Sequence, residues 1–216
     1  MLDAISLGCT RGERSLFENI GFSIAGGQLL RVAGANGSGK TSLLRILCGL
    51  LTPSNGEVRW HGQPILAARE EYHRELAYIG HLNGLKDDMT PHENLAVAAR
   101  LMGESSRHDV RLKALDNFGV AHCANLPVRH LSQGQRRRVA LARLAMPGRA
   151  RIWILDEPFT ALDANAVACL ERLIAAHVES GGIAVMTTHV EVAIAAVSML
   201  LVNLDQQAAD QQADRA

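Results

Sequence analysis

Apolar residues fall along this chain in two rhythms. Short β-type runs at residues 28–33, 57–60, 76–79, 151–155 and 183–187 have the length of strands. Between them the apolar positions recur three and four apart, as on one face of a helix. Val167, Leu170, Ile174 and Val178 form such a stripe, with Asp163 as its cap and Gly181-Gly182 as its stop. Strand-like runs alternating with helical ones predict an α/β domain with a mostly parallel sheet.

Start signals sharpen this outline. In Thr90-Pro91-His92-Glu93 the threonine can cap, proline suits the first helical position and glutamate closes a capping box, so a helix runs from there to about residue 103. Residues 88–147 offer helices and turns but no strand. A helical subdomain is therefore expected inside an α/β core made of residues 1–87 and 148–205. Residues 206–216 are rich in Gln, Asp and Ala and read as a mobile tail. The longest nearly apolar stretch, 192–202, is well short of the ~18 residues that would suggest a membrane span.

Composition narrows the partners more than the fold. Lys plus Arg and Asp plus Glu number 22 each, so no global field recruits nucleic acid or an anionic membrane face. The four cysteines lie far apart with no C-x-x-C pair, and the N-terminus lacks a basic segment followed by an apolar one. Both features point to a protein that stays in a reducing, cytoplasmic setting.

The chemistry begins after the first strong strand. Gly34-Ala35-Asn36-Gly37-Ser38-Gly39-Lys40-Thr41, followed by Ser42, matches a phosphate-binding loop placed between a strand and a helix. Glycines let backbone N–H groups curl round a phosphate, Lys40 reaches the terminal phosphates and Thr41 supplies an oxygen to Mg²⁺. Nucleotide binding follows, with ATP and Mg²⁺ as the expected ligands. A second strand, 151–155, ends in Asp156-Glu157, and adjacent side chains on an extended segment face opposite ways. Asp156 is therefore expected at the metal and Glu157 at the attacking water. His189, closing the run AVMTTH, suits a contact with the γ-phosphate.

Leu131-Ser132-Gln133-Gly134-Gln135 opens another helix. Ser132 and Gln135 form a capping-box pattern and Gly134 permits close approach, so this is a second anion-ready helix start. Arg136, Arg137 and Arg138 follow and read as a solvated face, since nothing aromatic interleaves them.

With both phosphate ends present, the chain resembles the ABC ATPases. The order GANGSGKT, LSQGQ, ILDEP, Ala161-Leu162-Asp163 and TTH, with LSQGQ close to that family's LSGGQ, covers nearly the whole length. The resemblance implies a P-loop NTPase fold with N-terminal antiparallel strands and an inserted helical subdomain. It also implies a head-to-tail homodimer in which residues 131–135 of one copy close over ATP held by the other, with Lys40, Glu157 and His189 catalytic and Asp163 in the D-loop. Two positions depart from the family pattern. Arg11 stands where an aromatic residue stacks on adenine, with Phe17 as a possible substitute, and His81 occupies the place of the Q-loop glutamine.

The run from Gly80 to Lys86, Met89-Thr90, Glu93-Asn94-Leu95 and Trp153-Ile-Leu-Asp-Glu-Pro-Phe are similar to the ABC ATPases of cytochrome c maturation. That likeness implies a peripheral protein on the cytoplasmic face of the bacterial inner membrane, with an integral CcmB-type subunit and haem-handling proteins of the CcmC and CcmE type. Its task would be haem export or ATP-driven release of a haem chaperone. The alternatives are an ABC ATPase of another small-solute exporter and a soluble ABC ATPase without a membrane partner. The latter usually carries two cassettes or a coiled-coil insertion. An unrelated P-loop kinase or GTPase leaves LSQGQ unexplained, and the chain has no N-K-x-D base-reading motif.

Overall fold

In the computed structural model, residues 1–103, 106–189, 194 and 198–205 are described. The expected polar tail at 206–216 lies outside the described residues, as does part of the apolar stretch 192–202.

Five strands make one parallel sheet: β3 (Gln28–Ala33), β6 (Leu76–Ile79), β7 (Ile152–Leu155), β8 (Ile183–Thr187) and β9 (Ser198–Asn203), in the order β6-β7-β8-β3-β9. Its register pairs Ile79 with Leu155, Leu155 with Met186 and Val32 with Thr187. The carboxyl ends of four strands therefore finish along one edge, where open α/β sheets bind their ligands.

A second, antiparallel sheet stands beside it, with β1 (Leu2–Arg11), β2 (Arg14–Ile24), β4 (Asn55–Trp60) and the short β5 (Gln63–Pro64) in the order β2-β1-β4-β5. The parallel sheet is apolar on both faces, and its period of two divides the core. Leu30, Ile152, Ile154, Ile183 and Val185 point towards the antiparallel sheet and helix α1 (Lys40–Leu47). Leu29, Trp153, Leu155, Ala184 and Met186 point the other way, into a core shared with the helices.

Between β6 and β7 the described residues contain helices and 3₁₀ turns and no strand. After the short α2 (Arg69–Arg74), which precedes β6, come α3 (Pro91–Leu101), α4 (His108–Asn117) and α5 (Gln133–Ala142). Thr90 caps α3 by the expected box: its side chain accepts from Glu93 N, and Glu93 returns a bond to Thr90 N. Helix α6 (Ala164–Glu179) is capped by Asp163, which accepts from Ala166 N at 2.9 Å, and it buries Leu170, Ile174 and Val178. All four cysteines are free and buried. No described helix is long and apolar enough to cross a membrane.

Candidate functional site: a nucleotide cleft at the sheet edge

The loop after β3 turns tightly because three of its glycines take positive φ: 148° at Gly34, 82° at Gly37 and 101° at Gly39. Gly39 is the N-cap of α1 and offers no side-chain cap, and no acid sits in the first turn. The first backbone N–H groups of the helix are thus left for an anion. Lys40 crosses the loop and donates to Gly34 O at 2.7 Å and Ala35 O at 3.0 Å. Ser38 N donates to Ala35 O, and the Ser38 hydroxyl is buried without a partner against Gly34. Asn36, Gly37, Gly39, Lys40, Thr41 and Ser42 line a cleft of about 420 Å³.

The acids after β7 lie in the same cleft. Asp156 is 2% exposed, and each of its oxygens has a hydroxyl partner: Thr41 Oγ1 donates to Oδ2 at 2.9 Å, Thr187 Oγ1 to Oδ1 at 2.9 Å. Thr41 and Asp156 thus present two hard oxygen donors side by side, the set that suits Mg²⁺. Glu157 and His189 also line the cleft, with His189 Nε2 3.2 Å from Glu157 Oε1. The expected reason for the division between Asp156 and Glu157 needs correcting. Glu157 is not extended but left-handed, with φ of 48°, so the opposite-face rule of an extended segment does not apply to it, and both acids line the one cleft.

His81, just past β6, and Arg11, at the end of β1, both reach this cleft. Phe17 does not: it is 4% exposed, sits in the core and packs beneath Gly39, where a Cβ would meet its ring at 2.9 Å. Alternation along β2 turns Phe17 inward, so it is not a base-stacking residue here. Its neighbour Leu16 faces the cleft beside Arg11. Sequence reading missed Leu16, and the period of two in a half-buried strand was the available signal. It also missed Asp205, whose carboxylate accepts from Ala35 N at 2.7 Å and so ties the loop to the residues after β9.

Residues 131–135 do not line the cleft, although Gln133 lines a smaller cavity beside it with His81, Glu157 and Thr160. Leu131 is buried, Ser132 and Gln133 are exposed, and Ser132 caps α5 with both bonds of the box: Gln135 N to Ser132 Oγ at 3.2 Å and Ser132 N to Gln135 Oε1 at 2.8 Å. Gly134 lies close to Ala161 O. Asp163, besides capping α6, accepts from Arg138 at 3.5 Å.

The solvated reading of the arginine run is corrected at its centre. Arg137 is 6% exposed and donates to Gly80 O at 2.8 Å, Asp156 O at 2.9 Å and Glu157 O at 2.8 Å. Burial pushes its guanidinium below the usual arginine range, against the opposing pull of the Asp156 and Glu157 carboxylates.

A P-loop, a hydroxyl and carboxylate pair, a second carboxylate with a histidine, and a capped glycine-bearing helix start define an ABC-type ATPase cassette. The profile of the ABC transporter family matches residues 17–160, and the chain belongs to that family. Within it the chain groups with the ATP-binding proteins of cytochrome c biogenesis. It is 51% identical over 189 residues, 88% of each chain, to the cytochrome c biogenesis ATP-binding export protein CcmA of Aromatoleum aromaticum. To the protein of the same name from Albidiferax ferrireducens it is 52% identical over 198 residues, 92% of this chain and 94% of that one.

Among solved structures, a putative ABC transporter ATP-binding protein from Pyrococcus furiosus superposes with a TM-score of 0.80. It shares 25% identity, over 95% of this chain and 98% of that one. An ATP-binding cassette described as dimeric, in a post-hydrolysis state with ADP and Pi, superposes at 0.81. At 22% identity over 94% and 95% of the two chains, it speaks for the fold.

Proposed function

We propose that this chain is the ATP-hydrolysing subunit of an ABC export complex of cytochrome c biogenesis, working as a head-to-tail dimer on a membrane-embedded subunit. The observation that carries this is the placement of Glu157: its carboxylate opens into the nucleotide cleft beside Lys40, Thr41 and Asp156, with His189 at 3.2 Å. The loop N–H groups and Lys40 hold the β- and γ-phosphates of ATP. Thr41 and Asp156 would hold Mg²⁺, which would supply positive charge against the phosphate oxygens. Glu157 accepts a proton as water attacks the γ-phosphorus and the bond to the bridging oxygen of ADP breaks. His189 orients Glu157 and the γ-phosphate.

Ser132, Gln133, Gly134 and Gln135 then serve the ATP of the second copy. Ser132 and Gln133 are exposed, Gly134 and Gln135 half-buried, and none of the four lines the cleft of its own chain, which fits a site finished across a subunit boundary. Arg11 and Leu16 take the base, a guanidinium plane and an aliphatic wall in place of an aromatic ring.

For the membrane partner, of the CcmB type, two exposed leucines support the reading. Leu82, in the loop after β6, is 82% exposed, and Leu101 on α3 is 83% exposed. The loop and α3 are fastened together by the buried Asn94, which accepts from Lys86 N at 2.8 Å and donates to Lys86 O at 3.1 Å. A partner docked on Leu82 would push directly on its neighbour His81. The complex then sits at the cytoplasmic face of the inner membrane beside haem-handling proteins of the CcmC and CcmE type, and its task is haem export or ATP-driven release of a haem chaperone.

The test is Glu157→Gln in the complex purified from membranes. ATP turnover should fall by at least about 10²-fold while nucleotide binding persists and an integral membrane subunit co-purifies. Unchanged turnover would remove Glu157 from its role, and purification without a membrane subunit would favour a non-transport ATPase.

A further inference from the structure

Arg137 is the most unusual charged side chain among the described residues. It is 6% exposed, no carboxylate side chain is bonded to it, and its two terminal nitrogens reach three main-chain carbonyls and one side-chain amide. Burying a cation is costly unless its donors are satisfied, and here the two terminal nitrogens are bonded while Nε is buried without a partner. What the guanidinium adds is a planar fork of fixed geometry.

The groups it grips belong to two separate segments. Nη1 takes Gly80 O at 2.8 Å and Asn83 Oδ1 at 3.3 Å, on either side of His81. Nη2 takes Asp156 O at 2.9 Å and Glu157 O at 2.8 Å. Glu157 is the residue with φ of 48°, a conformation disfavoured for any side chain with a Cβ and kept only where neighbours over-determine it. Its N–H donates to Thr187 Oγ1 at 2.9 Å, and its C=O accepts from Arg137. The turn is pinned at both ends, one pin coming from the sheet and the other from α5.

Helix α5 is the helix whose first turn carries Ser132 and Gly134. Arg137 lies five residues beyond Ser132, on the order of 7 Å along a rigid rod. Any tilt of α5 that moves Ser132 moves the fork as well. His81, Gln133, Arg137, Glu157 and Thr160 surround a small cavity of about 130 Å³ that joins these parts.

We infer that Arg137 is a positioning residue that sets the backbone of Glu157, and hence the direction of its carboxylate, according to the orientation of the signature helix α5. This rests on the reading of Glu157 as the group that activates water. Closure of α5 over a nucleotide and alignment of the carboxylate are then one event rather than two.

The test compares Arg137→Met, Arg137→Lys and Glu157→Gln in the intact membrane complex, recording kcat, KM for ATP and melting temperature. Arg137→Met should lose about 10–100-fold in kcat, the scale of a reacting group displaced by about 1 Å, with KM within about twofold of the parent. Arg137→Lys keeps the charge without the fork and should fall between the two. A structural role alone would instead lower kcat, ATP affinity and melting temperature together, with Arg137→Lys restoring all three, and that result overturns the inference. So does full kcat in either variant while Glu157→Gln is inactive. If Arg137→Met does not fold, Arg137→Lys decides: reduced kcat at unchanged KM supports the role, and full kcat removes it. Normal turnover in Glu157→Gln would remove the parent reading, and this one with it.

Discussion

The two helix starts that bear on phosphate are built on opposite principles. Helix α1 begins at Gly39, in the left-handed region, with no side chain on its N-terminal N–H groups. Helix α5 begins at Ser132 with a complete capping box, so two of its donors are already engaged. The bare end is a binding site on its own, since its orphan donors converge on a cleft with Lys40 in it. The capped end is a stable helix start that leaves one hydroxyl proton and the N–H groups of Gln133 and Gly134 available. It can add to a site but hardly make one, which is the asymmetry expected when one end holds the nucleotide and the other closes on it.

The largest effect that can test this comparison is at the bare end. Gly39→Ala puts a Cβ at φ of 101° and 2.9 Å from the buried ring of Phe17. Strain and overpacking together should cost about 2–4 kcal/mol of stability. Nucleotide binding should be lost in the same variant, because relief of the clash must move the N–H groups that form the cradle. Equilibrium unfolding and titration with a fluorescent ATP analogue measure both. Retention of full affinity would mean that the loop geometry is not what holds the phosphate.

Next comes the capped end. Ser132→Ala removes the cap acceptor and should cost about 1 kcal/mol. Nucleotide affinity of the isolated chain should stay within about twofold, because no residue of 131–135 lines the cleft. Turnover of the assembled complex should nevertheless fall on the order of 10–100-fold if the hydroxyl donates to the γ-phosphate of the second copy. An affinity loss in the isolated chain would place Ser132 in the site of its own chain and erase the contrast.

How much of this could be read from sequence depended on how local each determinant is. The strands at Gln28–Ala33, Leu76–Ile79 and Ile183–Thr187 were delimited to the residue, because strands buried on both faces are continuous apolar runs with polar flanks. Strands β1 and β2 left no such trace. Their pairing shifts register three times, and Ser6 and Asn19 take positive φ, so alternation survives only over short stretches such as Leu16-Phe17 and not along the whole strand. The phosphate loop, Asp156, Glu157 and both capping boxes were legible because spacing within a few residues defines them.

Arg137 was misread for the converse reason. Three consecutive arginines look alike in sequence, and what distinguishes the middle one is a ring of carbonyls from residues 54 to 57 positions before it and 19 to 20 after it. Phe17, the aromatic offered as a substitute for the base, faces the core, because the pleat of β2 places Leu16 on the cleft side.

The smallest expected effect on turnover comes from a cap that copies the Ser132 box without its location. Thr90 and Glu93 make the same reciprocal pair at the start of α3, with Thr90 N donating to Glu93 Oε2 at 2.8 Å and Glu93 N to Thr90 Oγ1 at 3.2 Å. Bonding to the Thr90 backbone and side chain also draws the Glu93 carboxyl below the usual range. Thr90→Ala should cost about 1 kcal/mol, like Ser132→Ala, because the physics of the cap is the same. Neither Thr90 nor Glu93 lines the nucleotide cleft, so turnover of the complex should stay within about twofold of the parent once the fraction folded is accounted for. The pair of variants separates what a capping box does for a helix from what this one does for ATP. Equal stability losses with unequal turnover would assign the difference to the position of Ser132. If Thr90→Ala slowed hydrolysis as much as Ser132→Ala, the effect of both would lie in the stability of the helices, and the Ser132 hydroxyl would need no phosphate to explain it.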